Sequence, residues 1–226
     1  MIYQVSSGQE PPISFSTYPS LEDSTVYITG GASGIGAEIV RGFADQRSIT
    51  AELRAQGTTS ISPPSAHVIL SSTPPLFSST EPHAMTSATG EMSLRTTATN
   101  LSPPTFAIEA VAPSMIAVNK GSIINFGFAS WLRTVDGIPV YTTVRAGVQG
   151  MPRSFARDLG KHRICFNTIV PGWVMTELQD ELRATPETLE QARQNQCFPD
   201  FIDLVYPARM ALFLASDGAA MCIANN

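Results

Sequence analysis

Residues 24–46, STVYITGGASGIGAEIVRGFADQ, constrain the chain more than any other stretch. Val26, Tyr27, Ile28 and Thr29 are β-prone and mostly apolar, as expected of a short strand inside a parallel sheet. Gly30, Gly34 and Gly36 follow, and then Ile35, Ile39, Val40 and Phe43 recur at helical spacing. The pattern predicts a strand, a tight turn and a helix that begins inside the turn. Free N–H groups and the positive end of the helix dipole then face whatever lies above the strand, and missing Cβ atoms let a pyrophosphate approach the backbone. A tight strand-to-helix connection with no ligand would need the same glycines.

Regular patterning returns at residue 121. GSIINFGF reads as a buried strand, YTTVRAGVQGMPRSFARDLGKH as a helix, and RICFNTIV as a second strand ending at PGWVMTE. In the helix Val144, Val148, Met151, Phe155 and Leu159 form one apolar stripe, and Gly160 suits its C-terminal end. Tyr141 and Arg145 stand one turn apart on a neighbouring face. Pro152 lies in the helix interior, where it removes a hydrogen bond, so a kink after Met151 is expected.

TGGASGIG, Tyr141 with a cation four residues later, and NTIVPGWVMTE together resemble the short-chain dehydrogenase/reductases, whose motifs are T-G-x3-G-x-G, Y-x3-K and P-G-x3-T. The likeness runs over residues 21–45 and 100–222, and three motifs in the right order are far more specific than one. It implies a Rossmann-like, doubly wound parallel α/β sheet in a single domain spanning residues 1–226. It also implies hydride exchange between NAD or NADP and an alcohol or carbonyl.

By that resemblance the cofactor lies against Thr29, Gly30, Ser33, Gly34, Ile35 and Gly36, against Tyr141 and Arg145, and against Pro171, Gly172, Val174 and Thr176. Tyr141 matches the tyrosine that exchanges a proton with the substrate oxygen. Arg145 stands where the family has lysine; it keeps the charge but practically never deprotonates, so it cannot pass a proton along a relay. The serine that polarises the reacting oxygen belongs at position 128, which is Phe128. Ser130, two residues on, is a substitute if the loop shifts, or an ordinary loop serine. Asn100 matches the fourth catalytic member.

Within the family, SIINFGFASW, ARDLG, PGWVMTE, Gln196-Cys197 and FLASD look most similar to aldose 1-dehydrogenases, which makes Trp131 and Gln196 substrate-pocket candidates. Trp131 reads equally as a core or interface aromatic. The chain is thus read as a sugar or secondary-alcohol dehydrogenase by ancestry, a degenerate copy. The alternatives are a catalytically inactive dinucleotide-binding remnant and a chain that does not fold stably.

Composition matters most in the middle. Of the 47 residues from 58 to 104, 26 are Ser, Thr or Pro, and only Glu81, Glu91 and Arg95 are charged. Such a stretch has few apolar groups to offset ordering entropy, and its Pro-Pro pairs cannot lie in central strands. Residues 46–99 are too short for three strands and two helices at roughly 30 residues per strand-helix-strand unit. They are read as atypical: disordered, or translated from the wrong frame. No acidic or basic residue at the end of a recognisable second strand selects NAD or NADP. Near the C-terminus YPARMALFLASDGAAMC reads as a helix, and ending at IANN leaves the family's last strand absent and a sheet edge exposed.

With 14 Lys plus Arg against 19 Asp plus Glu and no basic run, nucleic acid and anionic membrane are not expected partners. A small-molecule substrate is, with a homo-oligomer through the Tyr141 helix. Cys165, Cys197 and Cys222 are odd in number and widely spaced, so they read as small core residues, with no metal site. Without a leader-like N-terminus the expected location is cytoplasmic.

Overall fold

The computed structural model describes residues 14–52, 66–70, 97–98, 101–128, 139–177, 180, 184–198 and 200–225. Five strands form one parallel sheet: β1 (Thr25–Thr29), β2 (Ile49–Glu52), β3 (Ala66–Leu70), β4 (Gly121–Phe126) and β5 (Ile164–Ile169). Their order is β2-β1-β3-β4-β5. The chain therefore runs outward from β1 in both directions, and the switch point lies between the carboxyl ends of β1 and β3, where open α/β sheets form ligand crevices.

Alternation along the strands sends side chains to two separate cores. Val26 and Ile28 of β1 and Ile124 and Phe126 of β4 pack with helix α1 (Gly34–Asp45) and helix α5 (Val205–Ala215), through Ile39, Phe43, Ala211 and Leu212. α1 crosses α5 closely at Gly42, where a Cβ would stand 3.0 Å from Leu212 Cδ1. On the opposite face Tyr27, Ile123, Ile164 and Phe166 meet α2 (Ser102–Val118) and α3 (Pro139–Leu159), through Ile108, Val111, Met115 and Leu159, with Met151 and Phe155 packed alongside. A short helix, α4 (Pro186–Gln194), opens with a reciprocal capping box between Thr185 and Thr188.

The β1-turn-α1 unit and the β4-α3-β5 unit match their sequence patterns. Helix α3 continues through Pro152, which is buried inside it. It ends at Leu159, directly before Gly160 as expected; Gly160–His162 then form a 3-10 turn, and the left-handed residue is Arg163, with φ 54°. The atypical middle, residues 46–99, supplies two sheet strands, β2 just before the Ser/Thr/Pro-rich stretch and β3 within it, the second seated between β1 and β4. Backbone pairing on both sides gives AHVIL the partners its own composition does not announce.

Among the described residues no strand lies beyond β5, but its edge is not bare. The Ala224 N–H donates to the Phe166 carbonyl and the Thr168 N–H to the Asn225 carbonyl, each at 2.9 Å. Asn167 fastens the same segment, donating from Nδ2 to the Cys222 carbonyl at 2.8 Å and accepting at Oδ1 from the Asn225 N–H at 3.1 Å. The three cysteines are also not alike: Cys165 is buried, Cys222 half-buried and Cys197 exposed, so Cys197 is not a core residue. Burial, with Cys222 as a lesser cause, pushes the Cys165 thiol up.

Candidate active site

The glycine turn closes as its sequence requires. Gly30 and Gly34 adopt left-handed conformations, φ 69° and 53°, which cost other residues strain. A Cβ on Gly36 would fall onto the carbonyl of Gly30, so only glycine lets the helix start this close to the end of β1. Ser33 precedes α1 in extended conformation and its side chain makes no capping bond. The first-turn amides of α1 thus lack the side-chain acceptor that usually satisfies one of them. This cradle of bare backbone fits a pyrophosphate.

The loop after β5 comes to the same place. Pro171 and Gly172 leave the strand, and Val174, buried, pairs with Ile202 through a parallel bridge in which the Met175 N–H donates to the Ile202 carbonyl at 3.2 Å. A Cβ on Gly34 would lie 3.4 Å from Thr176 Cγ2, which sets the threonine against the glycine turn. Two motifs more than a hundred residues apart therefore border one crevice.

Tyr141 and Arg145 project from the first turns of α3 and are 5% and 3% exposed. The Arg145 guanidinium carbon lies 5.1 Å from the Tyr141 ring centroid, a cation-π stack that directs positive charge at the phenol. Phe128 packs edge-on to Tyr141 with centroids 6.0 Å apart and rings at 65°. A phenyl ring at this position offers no hydrogen-bond donor.

Asn100, Ser130 and Trp131 lie outside the described residues. Gln196 donates from Nε2 to the Asp200 carbonyl at 2.9 Å, so that nitrogen fastens the loop leading to Phe201. Three further residues went unnoticed in the sequence. Trp173 follows Gly172 and packs on Phe201, centroids 6.4 Å apart, with its indole nitrogen buried and unpartnered among the described residues. Gln149, one turn beyond Arg145, is 5% exposed; a polar residue beside Val148 on an apolar stripe was its only signal. Glu52 ends β2, level with Ile28 of β1, so an acidic residue does end the second strand. That correction follows from β2 itself, whose four residues carry too little pattern to be recognised without their pairing to β1.

Among the described residues no group of side chains could hold a metal ion, and no helix is long and apolar enough to cross a membrane.

Residues 77–226 match the family model described as enoyl-(acyl carrier protein) reductase. The chain is 32% identical to the D-xylose 1-dehydrogenase of Caulobacter vibrioides, over 93% of this chain and 95% of that one. It is also 32% identical to a probable galactose dehydrogenase of Rhizobium meliloti, over 93% and 94%. Its fold is similar to that of a 3-oxoacyl-[acyl-carrier protein] reductase from Brucella melitensis, with TM-score 0.80, 16% identity and 92% and 90% coverage. The Thermoplasma acidophilum aldohexose dehydrogenase aligns with TM-score 0.75 at 19% identity, covering 92% of each chain. Motifs, fold and relatives agree: the chain belongs to the short-chain dehydrogenase/reductases, a family of oxidoreductases.

Proposed function

We propose that the protein exchanges hydride between NAD(P) and a sugar, with Tyr141 as the proton-transferring residue. The observation that carries this reading is the stack of Tyr141 and Arg145, buried together on the helix that leads into β5, whose following loop borders the glycine turn. The sugar assignment is supported by the two sugar dehydrogenases above, each aligned over more than nine-tenths of its length.

Bound in the cradle, the nicotinamide accepts or supplies hydride. The chain's own residues do the rest. Thr29, Gly30, Ser33, Gly34, Ile35 and Gly36 would line the pyrophosphate, while beyond Pro171 and Gly172 the Val174 backbone would face the carboxamide and Thr176 would hydrogen-bond a phosphate or the amide. Tyr141 takes the proton of the substrate hydroxyl in oxidation and returns it in reduction, with the Arg145 guanidinium stacked on its ring. Trp173 and Phe201 form an aromatic wall of the kind that receives the apolar face of a sugar ring. By the resemblance alone, Ser130 and Asn100 are the candidates for the remaining catalytic roles, and Trp131 and Gln196 for contacts to the substrate. Glu52 is the last residue of β2, and an acidic residue at the end of the second strand is the feature that selects NAD over NADP in dinucleotide-binding folds.

A second reading is favoured by one observation. Phe128 packs on Tyr141 where the family has its donor serine. Losing one donor to a developing oxyanion costs about 10²- to 10³-fold in rate, so a chain that binds dinucleotide with little turnover is the alternative.

Thermal melting with and without NAD+ and NADP+ separates these readings, because a ligand of the native state raises its stability. A shift by NAD+ followed by turnover of pentoses or hexoses supports the first reading. A shift without turnover supports the second, and no shift by either dinucleotide sinks both.

A further inference from the structure

Arg145 is a buried charge without a counter-charge among the described residues. It is 3% exposed, and no carboxylate among the described residues lies within ion-pair distance of it. A buried charge is tolerated only when its donors are satisfied. Yet its Nε has no hydrogen-bond partner among the described residues, and neither do the buried Gln149 Oε1 and Thr168 Oγ1.

These three groups are a donor, an acceptor and a hydroxyl, and the side chains that carry them are neighbours in pairs. Arg145 and Gln149 stand one turn apart on the buried side of α3. A Cβ built on Gly127 would meet both Gln149 Oε1 and, at 3.0 Å, Thr168 Cγ2, so those two side chains close on one point beside the end of β4. The missing Cβ of Gly127 is what lets the Gln149 oxygen come so close to the backbone there. The neighbouring amide of Asn125 is directed elsewhere, toward the Val148 carbonyl at 3.4 Å.

We propose that Gln149 is a positioning residue for Arg145, holding its guanidinium over Tyr141 through a buried water that Thr168 shares. The water accepts from Arg145 Nε and donates to Gln149 Oε1 and Thr168 Oγ1, three bonds, the usual complement of an interior water. The bridge fixes the guanidinium plane, which the lysine of the family has no need of, because an ammonium is a point charge without a plane. The inference deepens the reading above and depends on it only in the cofactor arm of the test.

The test is a double-mutant cycle. Gln149→Leu is made in the parent, in Arg145→Met and in Arg145→Lys, and the ligand-free chains are melted. With Arg145 present, Gln149→Leu lowers the melting temperature by about 4 °C, the size one hydrogen bond to a charge produces in a chain of this length. In Arg145→Met the same substitution costs nothing or stabilises. Gln149→Glu, which keeps an acceptor at the same reach, restores the parent's melt.

In the cofactor arm, Gln149→Leu weakens dinucleotide binding about tenfold in the parent and leaves it unchanged in Arg145→Lys, which has no Nε–H to orient. Additive melting shifts across the cycle overturn the proposal, as does an equal loss of affinity in both backgrounds. If no chain, parent included, binds dinucleotide, the proposed function fails while the melting cycle still decides the role of Gln149.

Discussion

The same substitution at two helical glycines should act in opposite directions. Gly36 lies in the first turn of α1 and Gly150 is exposed in α3. Replacing glycine by alanine in a helix gains about 1 kcal/mol of propensity at either site. At Gly150 the new methyl meets nothing within 4 Å, so that gain stands and the melting temperature rises by about 3 °C. At Gly36 the methyl would lie 2.7 Å from the carbonyl carbon of Gly30 and 3.2 Å from Cα of Gly31, whereas ordinary contact begins at 3.4 Å. The carbon alone would have to retreat by about 0.7 Å and the nearer carbonyl oxygen of Gly30 by more, with no flexible side chain there to absorb the shift; overpacking of this kind costs about 3 kcal/mol. The net loss of about 2 kcal/mol lowers melting by about 6 °C. Displacing the amides that face the pyrophosphate should also weaken dinucleotide binding by about tenfold or more. Differential scanning fluorimetry of the two variants, with and without NAD+, checks both effects. If Gly36→Ala melts as high as Gly150→Ala, or binds cofactor as tightly as the parent, the close approach of α1 to β1 is not what the glycine serves.

Three further outcomes are expected. Glu52→Arg should move cofactor preference toward NADP+, read as the ratio of dissociation constants; an unchanged ratio would remove Glu52 from the site. Phe128→Ser should raise sugar turnover by about 10²-fold while losing an aromatic contact worth about 1 kcal/mol, a drop of about 3 °C. No gain in rate there would mean that the ring is not what limits the chemistry. Burial holds the Tyr27 phenol above its ordinary value of 10.0, so the folded state keeps its proton longer than the unfolded one. Stability from this group is full below 10.0 and drains as pH climbs through the raised value. The raised Cys165 thiol acts in the same direction. Tyr27→Phe should therefore shift the alkaline unfolding midpoint to higher pH, and a midpoint that stays put would refute the assignment.

What could be read in advance follows from how much local pattern each element carries. The glycine turn, β4, α3 and β5 announce themselves because periodicity, glycine geometry and motif spacing coincide in each. β2 and β3 do not: ITAE and AHVIL stand near or within a Ser/Thr/Pro-rich stretch, and only pairing with β1, and for β3 also with β4, identifies them as strands. Glu52 was hidden with its strand. Tyr141 and Arg145 were legible from their spacing, but the burial of the guanidinium was not, because burial is decided by what packs across the sheet. Gln149 illustrates the same limit: its partners come from β5 and the residue after β4, far away in sequence. The covering of the β5 edge by residues 222–225 depends on the Asn167 side chain, which nothing in the tail itself foretells.

The two cores on opposite faces of the sheet carry different duties. The turn that faces the nucleotide grows out of the layer containing Ile39, Phe43 and Leu212, whereas the helix bearing Tyr141 rests, through Met151, Phe155 and Leu159, on the layer containing Phe166. Drift in one layer need not propagate into the other. On the proposed reading, substitutions beside Tyr141 leave the layer beneath the glycine turn untouched, so loss of turnover and loss of dinucleotide binding should be separable.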